Sequence, residues 1–163
     1  MRIEEVHLSR RPDGVPAVED FEIVGRESAE PRSGQIVVAN RFFSIDPYMR
    51  GLVDDRPTYR APFALHEVLD GPAVGEVVAS TTDEIRIGDV VRHESGWRSH
   101  AVLDAADTSR VQPLDGVELS ANLGVLGMPG FAAWLGLNVI GRFRPGQTVF
   151  VSSAAGAVGS LVG

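Results

Sequence analysis

A glycine-containing turn near residue 156 carries the clearest chemical pattern of this sequence. Ala154, Gly156 and Gly159 form the spacing Ala-x-Gly-x-x-Gly. In a dinucleotide site, one glycine lets the pyrophosphate approach the backbone, and a later glycine lets the following helix pack closely on the strand. Free N–H groups at the start of that helix then attract the phosphates. The spacing therefore predicts a phosphate-binding turn, and the alternative is an ordinary strand-to-helix turn rich in small residues.

The residues before this turn favour the cofactor interpretation. Residues 148–151 form a continuous run, Thr-Val-Phe-Val, which is typical of a parallel strand covered by helices on both faces. The acidic or basic residue that separates NAD from NADP lies about 20 residues beyond the glycines. Only four residues follow Gly159, so these residues leave the choice between NAD and NADP open.

The other titratable residues predict no metal site. The chain has no cysteine, which excludes disulfides, thiol nucleophiles and cysteine-ligated metals. His66, His93 and His100 are dispersed, without the spacing of metal ligands or of a catalytic triad. We expect His93 and the adjacent Glu94 to form a surface pair rather than an acid–base couple.

The overall composition is that of an acidic globular protein. The 163 residues include 15 Lys and Arg against 22 Asp and Glu, a net charge of −7, which argues against a nucleic-acid or anionic-membrane binder. Hydrophobic residues make up 44%, enough for a packed core. No apolar run approaches the roughly 20 residues that cross a bilayer. Because the N-terminus lacks the apolar core of a signal peptide, we expect a cytoplasmic protein.

The first two-thirds of the chain predict a barrel-like antiparallel β domain. Short apolar stretches are separated by turn residues about every ten positions, the pattern of a small barrel. The predicted strands cover residues 3–8, 21–24, 35–44, 74–80, 89–93, 97–103 and 111–113.

The pattern changes to helical spacing near residue 118. Residues 118–126 and 131–140 are apolar at helical intervals. Pro129 suits the first turn of a helix, and Gly141 suits its end. The order then becomes helix, buried strand at 148–151 and glycine turn, the opening of an α/β unit.

Four stretches together resemble a known family. Residues 42–51, Phe-Phe-Ser-Ile-Asp-Pro-Tyr-Met-Arg-Gly, resemble its Ser-x-Asp-Pro-Tyr-Met-Arg signature. Residues 96–97, 126–131 and 151–160 match further stretches in the same order. The family is that of the zinc-independent medium-chain dehydrogenase/reductases, in the leukotriene B4 dehydrogenase/prostaglandin reductase and alkenal double-bond reductase branch.

This resemblance implies a mostly β, two-part architecture. Residues 1–117 would form a GroES-like β-barrel catalytic domain. Residues 118–163 would form the first helix, strand and glycine turn of an incomplete α/β Rossmann domain that binds NADP. Because the family's chains are much longer, we expect a truncated, N-terminal portion of an enzyme that is inactive by itself.

The resemblance also implies an activity. Such enzymes use NADPH to reduce the C=C bond of α,β-unsaturated ketones and aldehydes, without a metal. Hydride goes to the β-carbon, and the developing enolate oxygen needs a hydrogen-bond donor. The expected partners are a small enone or alkenal and a second copy in a homodimer, with neither nucleic acid nor membrane.

Three residues of the first part are the substrate-side candidates that the resemblance implies. Tyr48 would be catalytic, lining the pocket and donating its phenol proton to the carbonyl or enolate oxygen. Arg50 would orient the Tyr48 loop or bind a carboxylated substrate, and Tyr59, in a loop after Pro57, would close over the substrate. The alternatives are a structural tyrosine in a turn, a solvated arginine and a packing tyrosine, respectively.

The second part contributes the cofactor-side candidates. Met128 and Gly130 would lie along the cofactor, with a helix break for packing as the alternative. The residues expected to face the pyrophosphate are Gly156, Ala157, Val158 and Gly159.

A second class of function stays open. The chain would then be a non-catalytic GroES-like module that associates through its exposed C-terminal helix (131–140) and strand (148–151). Apolar strand edges without a partner favour such association.

Overall fold

The computed structural model describes residues 1–56 and 59–163, and its contacts divide the chain into two units, Met1–Pro113 and Leu114–Gly163. Pro57, part of the loop predicted before Tyr59, lies outside the described residues. The sequence places the division at 117/118. The assignment of the two parts to a catalytic domain and to the start of an NADP-binding domain stays a prediction.

The first unit consists mainly of antiparallel strands, which confirms the mostly β class. Two sheets are present among its described residues: β1 pairs with β2, and the other five strands follow the order β6-β3-β4-β5-β7. These hydrogen-bonded sheets are open. The strands are β1 (Arg2–Leu8), β2 (Phe21–Glu27), β3 (Gln35–Phe43), β4 (Ala73–Ser80), β5 (Val90–His93), β6 (His100–Asp104) and β7 (Ser109–Val111).

The central β3–β4 pair depends on a glycine. A Cβ at Gly75 would overlap the carbonyl oxygen of Ala39 on the neighbouring strand. The register also shifts twice along this pair, between Val37 and Val38 and again beyond Asn40. Such bulges bend and twist a strand, which lets the sheet curve over its core.

Two apolar clusters form the core of the first unit. One lies on the five-stranded sheet and consists of Ile36, Val38, Val77, Ile85, Val91 and Ala105. The other joins Leu8 of β1 to Val53 and Leu69, with Phe63 and Trp97 packed against it. Full burial of each such aliphatic side chain contributes about 1.5–3 kcal/mol. The second cluster therefore anchors the segments around residues 45–69, which lie outside the strands.

A short helix follows β3 and fixes the Tyr48 turn. Helix α1 (Met49–Leu52) has Tyr48 at its N-cap position. Met49 and Leu52 are buried, so one face of this single turn is held by the core. The backbone N–H of Met49 donates to the carbonyl oxygen of Asp46 at 3.0 Å, which closes the turn before the helix.

The helices of the second unit differ from the sequence prediction in type and bounds. The helix predicted over 118–126 is a 3-10 helix, Leu119–Leu123. The helix predicted over 131–140 begins earlier, as α2 (Met128–Trp134) with Pro129 in its first turn, and continues as a π-helix, Leu135–Ile140. A proline has no N–H to lose in a first turn, and Gly141 follows the last helical residue as predicted.

The strand predicted over 148–151 is absent from the described residues, so this part of the prediction is wrong for this structure. The run carries no ladder pairing, and Phe150 is 92% exposed. A strand forms only when its N–H and C=O groups bond to a neighbouring strand. The run is followed by a short helix, α3 (Gly159–Val162).

The helices were compared with the requirements for a membrane-spanning segment. Across residues 1–56 and 59–163, no helix combines the length and apolar character that a bilayer crossing requires.

Candidate functional site

The Asp-Pro-Tyr-Met-Arg turn is built from local hydrogen bonds. The Ser44 hydroxyl donates to Oδ1 of Asp46 at 2.8 Å, and the Ser44 N–H donates to the carbonyl oxygen of Pro72. The N–H of Gly51 donates to the carbonyl oxygen of Tyr48 at 3.0 Å. The serine and aspartate of the family signature thus hold the turn that carries Tyr48.

Tyr48 occupies a half-buried position beside a cation. The Arg60 guanidinium lies over the Tyr48 ring, 5.8 Å from its centroid. Burial raises the pKa of the Tyr48 phenol, the nearby Arg60 opposes this, and Asp46 and Glu94 raise it further. The phenol is therefore protonated at neutral pH, and a protonated phenol can donate a hydrogen bond.

Arg50 is engaged within the protein. Its Nη1 lies 2.6 Å from Oδ1 of Asp54, and its Nη2 donates to the carbonyl oxygen of Gly14 at 2.6 Å. These contacts tie α1 to the loop after β1. Of the two predicted roles for Arg50, they favour orientation of the Tyr48 segment over capture of a substrate carboxylate.

Tyr59 is near Tyr48 but presents its side chain to solvent. It is 79% exposed, and it contributes to the raised pKa of the Tyr48 phenol. Such exposure argues against the packing role. The structure thus places Arg50 two residues beyond Tyr48 in the same turn, and Tyr59 meets Tyr48 in no hydrogen bond or ring contact among the described residues.

One charged residue beside Tyr48, Arg60, was missed in the sequence, and a second, Glu94, was considered only as a surface partner of His93. Arg60 follows the predicted Tyr59 loop directly, and Glu94 follows the last residue of β5. Arg92 and Glu94 also form a loose ion pair of 3.5 Å. The position of Glu94 at a strand end is a signal that could have identified it, whereas nothing in the sequence indicates that Arg60 lies over Tyr48.

His93 is buried, so the expected surface pair with Glu94 is wrong. Its Nδ1 accepts the Ser95 N–H at 3.1 Å, which places the proton on Nε2, 2.9 Å from Oδ1 of Asn40. Burial lowers the pKa of His93 to about 4, with a further contribution from Arg98. His93 is therefore neutral at physiological pH and serves as a structural residue.

Asn40 completes this network from β3, which is separated from β5 by β4 in the sheet. Its amide Nδ2 donates to the carbonyl oxygens of Ser95 and Arg98, at 3.1 and 2.9 Å. The two bonds brace the loop that contains Glu94 and Trp97. A buried network of this kind, with every member bonded, fixes a loop that has no regular structure of its own.

Trp97 anchors this loop to the core. Its ring packs on Phe21 and Phe43, with centroids 6.3 and 5.1 Å apart. Its φ of 40° lies in the left-handed region, which costs free energy in a non-glycine residue. A positive φ does not fit the extended backbone of a strand, so Trp97 lies outside β6, which begins at His100 rather than at the predicted residue 97.

The cofactor-side candidates at residues 128 and 130 begin helix α2. Met128 is exposed, so its side chain is available to a ligand. A Cβ at Gly130 would overlap the carbonyl oxygen of Val125, and glycine is therefore required by packing there. The geometry supports the packing alternative for Gly130.

The glycine turn is an exposed backbone segment. The N–H of Gly156 donates to the carbonyl oxygen of Ser153 at 2.8 Å, and Ala157 and Val158 are exposed. A Cβ at Gly159 would overlap that same oxygen of Ser153. Gly159 thus occupies a position where only glycine fits, but the contact is with the turn itself rather than with the strand on which the following helix was predicted to pack.

Metal ligands are not grouped in the part of the chain that the structure describes. Apart from residues 57 and 58, no three of the His, Cys, Asp and Glu side chains lie close enough together to hold an ion.

The family follows from comparison with known proteins. The model of a family described as the N-terminal domain of oxidoreductase matches residues 4–111. Because this stretch is more than half of the 163 residues, the chain belongs to that family.

Three relatives illustrate the similarity. YfmJ of Bacillus subtilis (strain 168), whose name describes an NADP-dependent oxidoreductase, is 42% identical over 98% of this chain and 47% of its own length. The NADPH-dependent curcumin reductase of Escherichia coli (strain K12) is 38% identical over 96% of this chain and 45% of its own. The crystal structure of CurA from Vibrio vulnificus in complex with NADPH has a TM-score of 0.89 at 36% identity, over 98% of this chain and 47% of that one.

These comparisons confirm the resemblance drawn from the sequence motifs and the fold class that it implies. The NADPH expected from the resemblance is the cofactor in the CurA complex and in the curcumin reductase's name. The chain spans about half the length of the curated relatives it matches.

Proposed function

We propose that this chain supplies the substrate-side part of an NADPH-dependent reductase acting on the C=C bond of α,β-unsaturated ketones and aldehydes. The observation that carries the proposal is the turn of the signature stretch, in which the Ser44–Asp46 hydrogen bond holds the half-buried Tyr48 phenol beside the Arg60 guanidinium. The proposal assigns residues 1–117 to a catalytic domain and residues 118–163 to the start of an NADP-binding domain, and the complete enzyme to a homodimer.

The residues of the glycine turn fit a bound dinucleotide. The backbone at Gly156, Ala157 and Val158 is exposed, and Gly156 has no side chain to block close approach. Residues 156–159 would hold the pyrophosphate, and Met128 would lie along the cofactor. NADPH, when bound, supplies the hydride for the β-carbon of the substrate.

While the hydride adds to the β-carbon, Tyr48 stabilises the carbonyl oxygen of the substrate. As negative charge develops on that oxygen, the phenol O–H donates a hydrogen bond to it, and the bond strengthens towards the transition state. Arg60 over the ring keeps the phenol a stronger acid than burial alone would leave it. Arg50 positions the turn through its bonds to Asp54 and Gly14.

The test substitutes each of the two tyrosines, Tyr48 and Tyr59, in the complete proposed enzyme. Tyr48→Phe is expected to lower the rate of NADPH oxidation with a simple enone by roughly a hundredfold, the size of effect seen when one oxyanion donor is removed. Tyr59→Phe is the matched control, because it keeps the ring that would close over the substrate and removes only the hydroxyl of a mostly exposed side chain, and its rate is expected to fall by less than threefold. Equal rates for wild type and Tyr48→Phe would remove Tyr48 from the mechanism.

A second candidate is an association module without catalysis. It is favoured by the exposed apolar side chains of the second unit, which include Phe131, Trp134, Ile140 and Phe150. Such surface is typical of an interface. This candidate requires that the chain associate through these residues and that it bind no NADPH.

A further inference from the structure

An apolar pocket of about 440 Å³ lies within the first unit, next to the Tyr48 turn. Pro47 and Met49, on either side of Tyr48, line it, whereas Tyr48 itself does not. A volume of this size is in the range of small-molecule sites. The pocket is thus a cavity separate from the phenol to which the proposed catalysis is assigned.

The walls of the pocket are aromatic and fixed by the core. Phe21, Phe63 and Trp97 line it, and the Phe21 and Trp97 rings are nearly parallel, with an interplanar angle of 15°. The floor includes Val53 and Leu69, which are both buried. Because the Phe21 and Trp97 rings stack on each other, with centroids 6.3 Å apart, they form one continuous aromatic wall, and such a wall favours a ligand with a flat ring.

The charged residues of the pocket have partners within the protein. The Asp46 carboxylate accepts the Ser44 hydroxyl at 2.8 Å. The Arg50 guanidinium binds Asp54 and the carbonyl oxygen of Gly14. Since a charged ligand would have to compete with these contacts, the lining favours a neutral molecule.

We propose that this pocket binds a neutral, planar, mainly apolar small molecule. The site is built entirely from the first unit, and it stands independently of the reductase function. A ligand there contacts Pro47 and Met49, so its binding stiffens the turn that carries Tyr48.

The test measures binding of 2-acetylnaphthalene, a neutral planar ketone without a reducible enone, to the 163-residue chain. Trp134→Phe leaves Trp97 as the only tryptophan, and its fluorescence then reports the site. We expect saturable quenching of Trp97 by one equivalent of ligand. We also expect at least tenfold weaker binding of 2-naphthoate, which has the same ring system with a negative charge.

Two exposed isoleucines provide a matched pair of variants. Ile45 lines the pocket and is 73% exposed, whereas Ile87 is 69% exposed and lies outside it. Ile45→Glu places a charge at the mouth without disturbing the core, and it is expected to weaken binding at least tenfold. Ile87→Glu is expected to leave the affinity within twofold of the parent chain.

Three outcomes would overturn the proposal. The first is no saturable quenching of Trp97, and the second is equal loss of affinity in Ile45→Glu and Ile87→Glu. The third is an affinity that falls as protein concentration rises, because a second copy of the chain would then occupy the pocket. Loss of enone reduction in Tyr48→Phe affects none of these measurements, so the two proposals fail separately.

Discussion

At the scale of single residues, burial shifts the pKa values of Tyr48 and His93 in opposite directions. Burial raises the pKa of the Tyr48 phenol, which keeps a proton available for donation. Burial also lowers the pKa of His93, which removes it from acid–base chemistry near neutral pH. In both cases the low-dielectric surroundings disfavour the charged form.

His93 makes the stability of the first unit depend on pH. Its pKa falls from 6.5 to about 4 on folding, so the unfolded chain binds more protons between these values. The stabilisation is complete above pH 6.5 and is lost as the pH falls towards 4. The loss is on the order of 3 kcal/mol in the free energy of unfolding. Urea unfolding at a series of pH values measures it.

A variant isolates this contribution. His93→Gln keeps a side chain that can bond to Asn40 but cannot titrate, so the pH dependence between 6.5 and 4 should shrink by most of that amount. His66→Gln, at an exposed histidine, serves as the control and should keep the wild-type slope. An unchanged slope in His93→Gln would show that His93 is not buried in the neutral form.

At the scale of elements, the start of helix α2 depends on one glycine. Gly130 lies where any Cβ would overlap the carbonyl oxygen of Val125, whereas Gly136 has open space around it. Gly130→Ala is therefore expected to destabilise the second unit by about 1–3 kcal/mol, the usual cost of overpacking. The measurement is hydrogen exchange of the α2 amides.

Gly136→Ala is the matched control in the same helical segment. Alanine loses less backbone entropy than glycine on folding, so protection of these amides should be unchanged or slightly higher. Equal protection in both variants would mean that the 124–130 turn moves aside at little cost.

The elements also differ in how well the sequence predicts them. The strands of the first unit follow from alternating apolar residues and turn signals, because both depend on neighbours along the chain. The run at 148–151 has the composition of a buried strand. It is nevertheless not a strand here, because ladder bonds need a neighbouring strand that composition cannot supply.

At the scale of the whole molecule, the exposed apolar surface is concentrated in the second unit. Phe150 is 92% exposed. Large exposed apolar side chains favour association, since burial releases them from water. We therefore expect the 163-residue chain to self-associate, as measured by sedimentation velocity over a range of concentrations.

Two substitutions distinguish a specific interface from non-specific association. Phe150→Ser should shift the association to at least tenfold higher protein concentration. Val15→Ser, at an 88% exposed position of the first unit, should leave it unchanged. A clean monomer for the unmodified chain at high concentration would contradict the association candidate.

The sequence by itself determined the family, the mostly β class and the turn that carries Tyr48. These features depend on residues adjacent in the chain, such as the 42–51 signature and the Ser44–Asp46 bond that closes its turn. The Ala-x-Gly-x-x-Gly spacing likewise marks a local turn, and at Gly159 this turn leaves no room for a Cβ.

Only the tertiary structure decided what surrounds those residues. It placed Arg60 over Tyr48, and it paired His93 with Asn40, 53 positions earlier in the chain. It also enclosed the apolar pocket between segments as distant as Phe21 and Trp97. Burial, pKa shifts and cavities all arise from contacts between distant segments, and local residue patterns do not specify which segments meet.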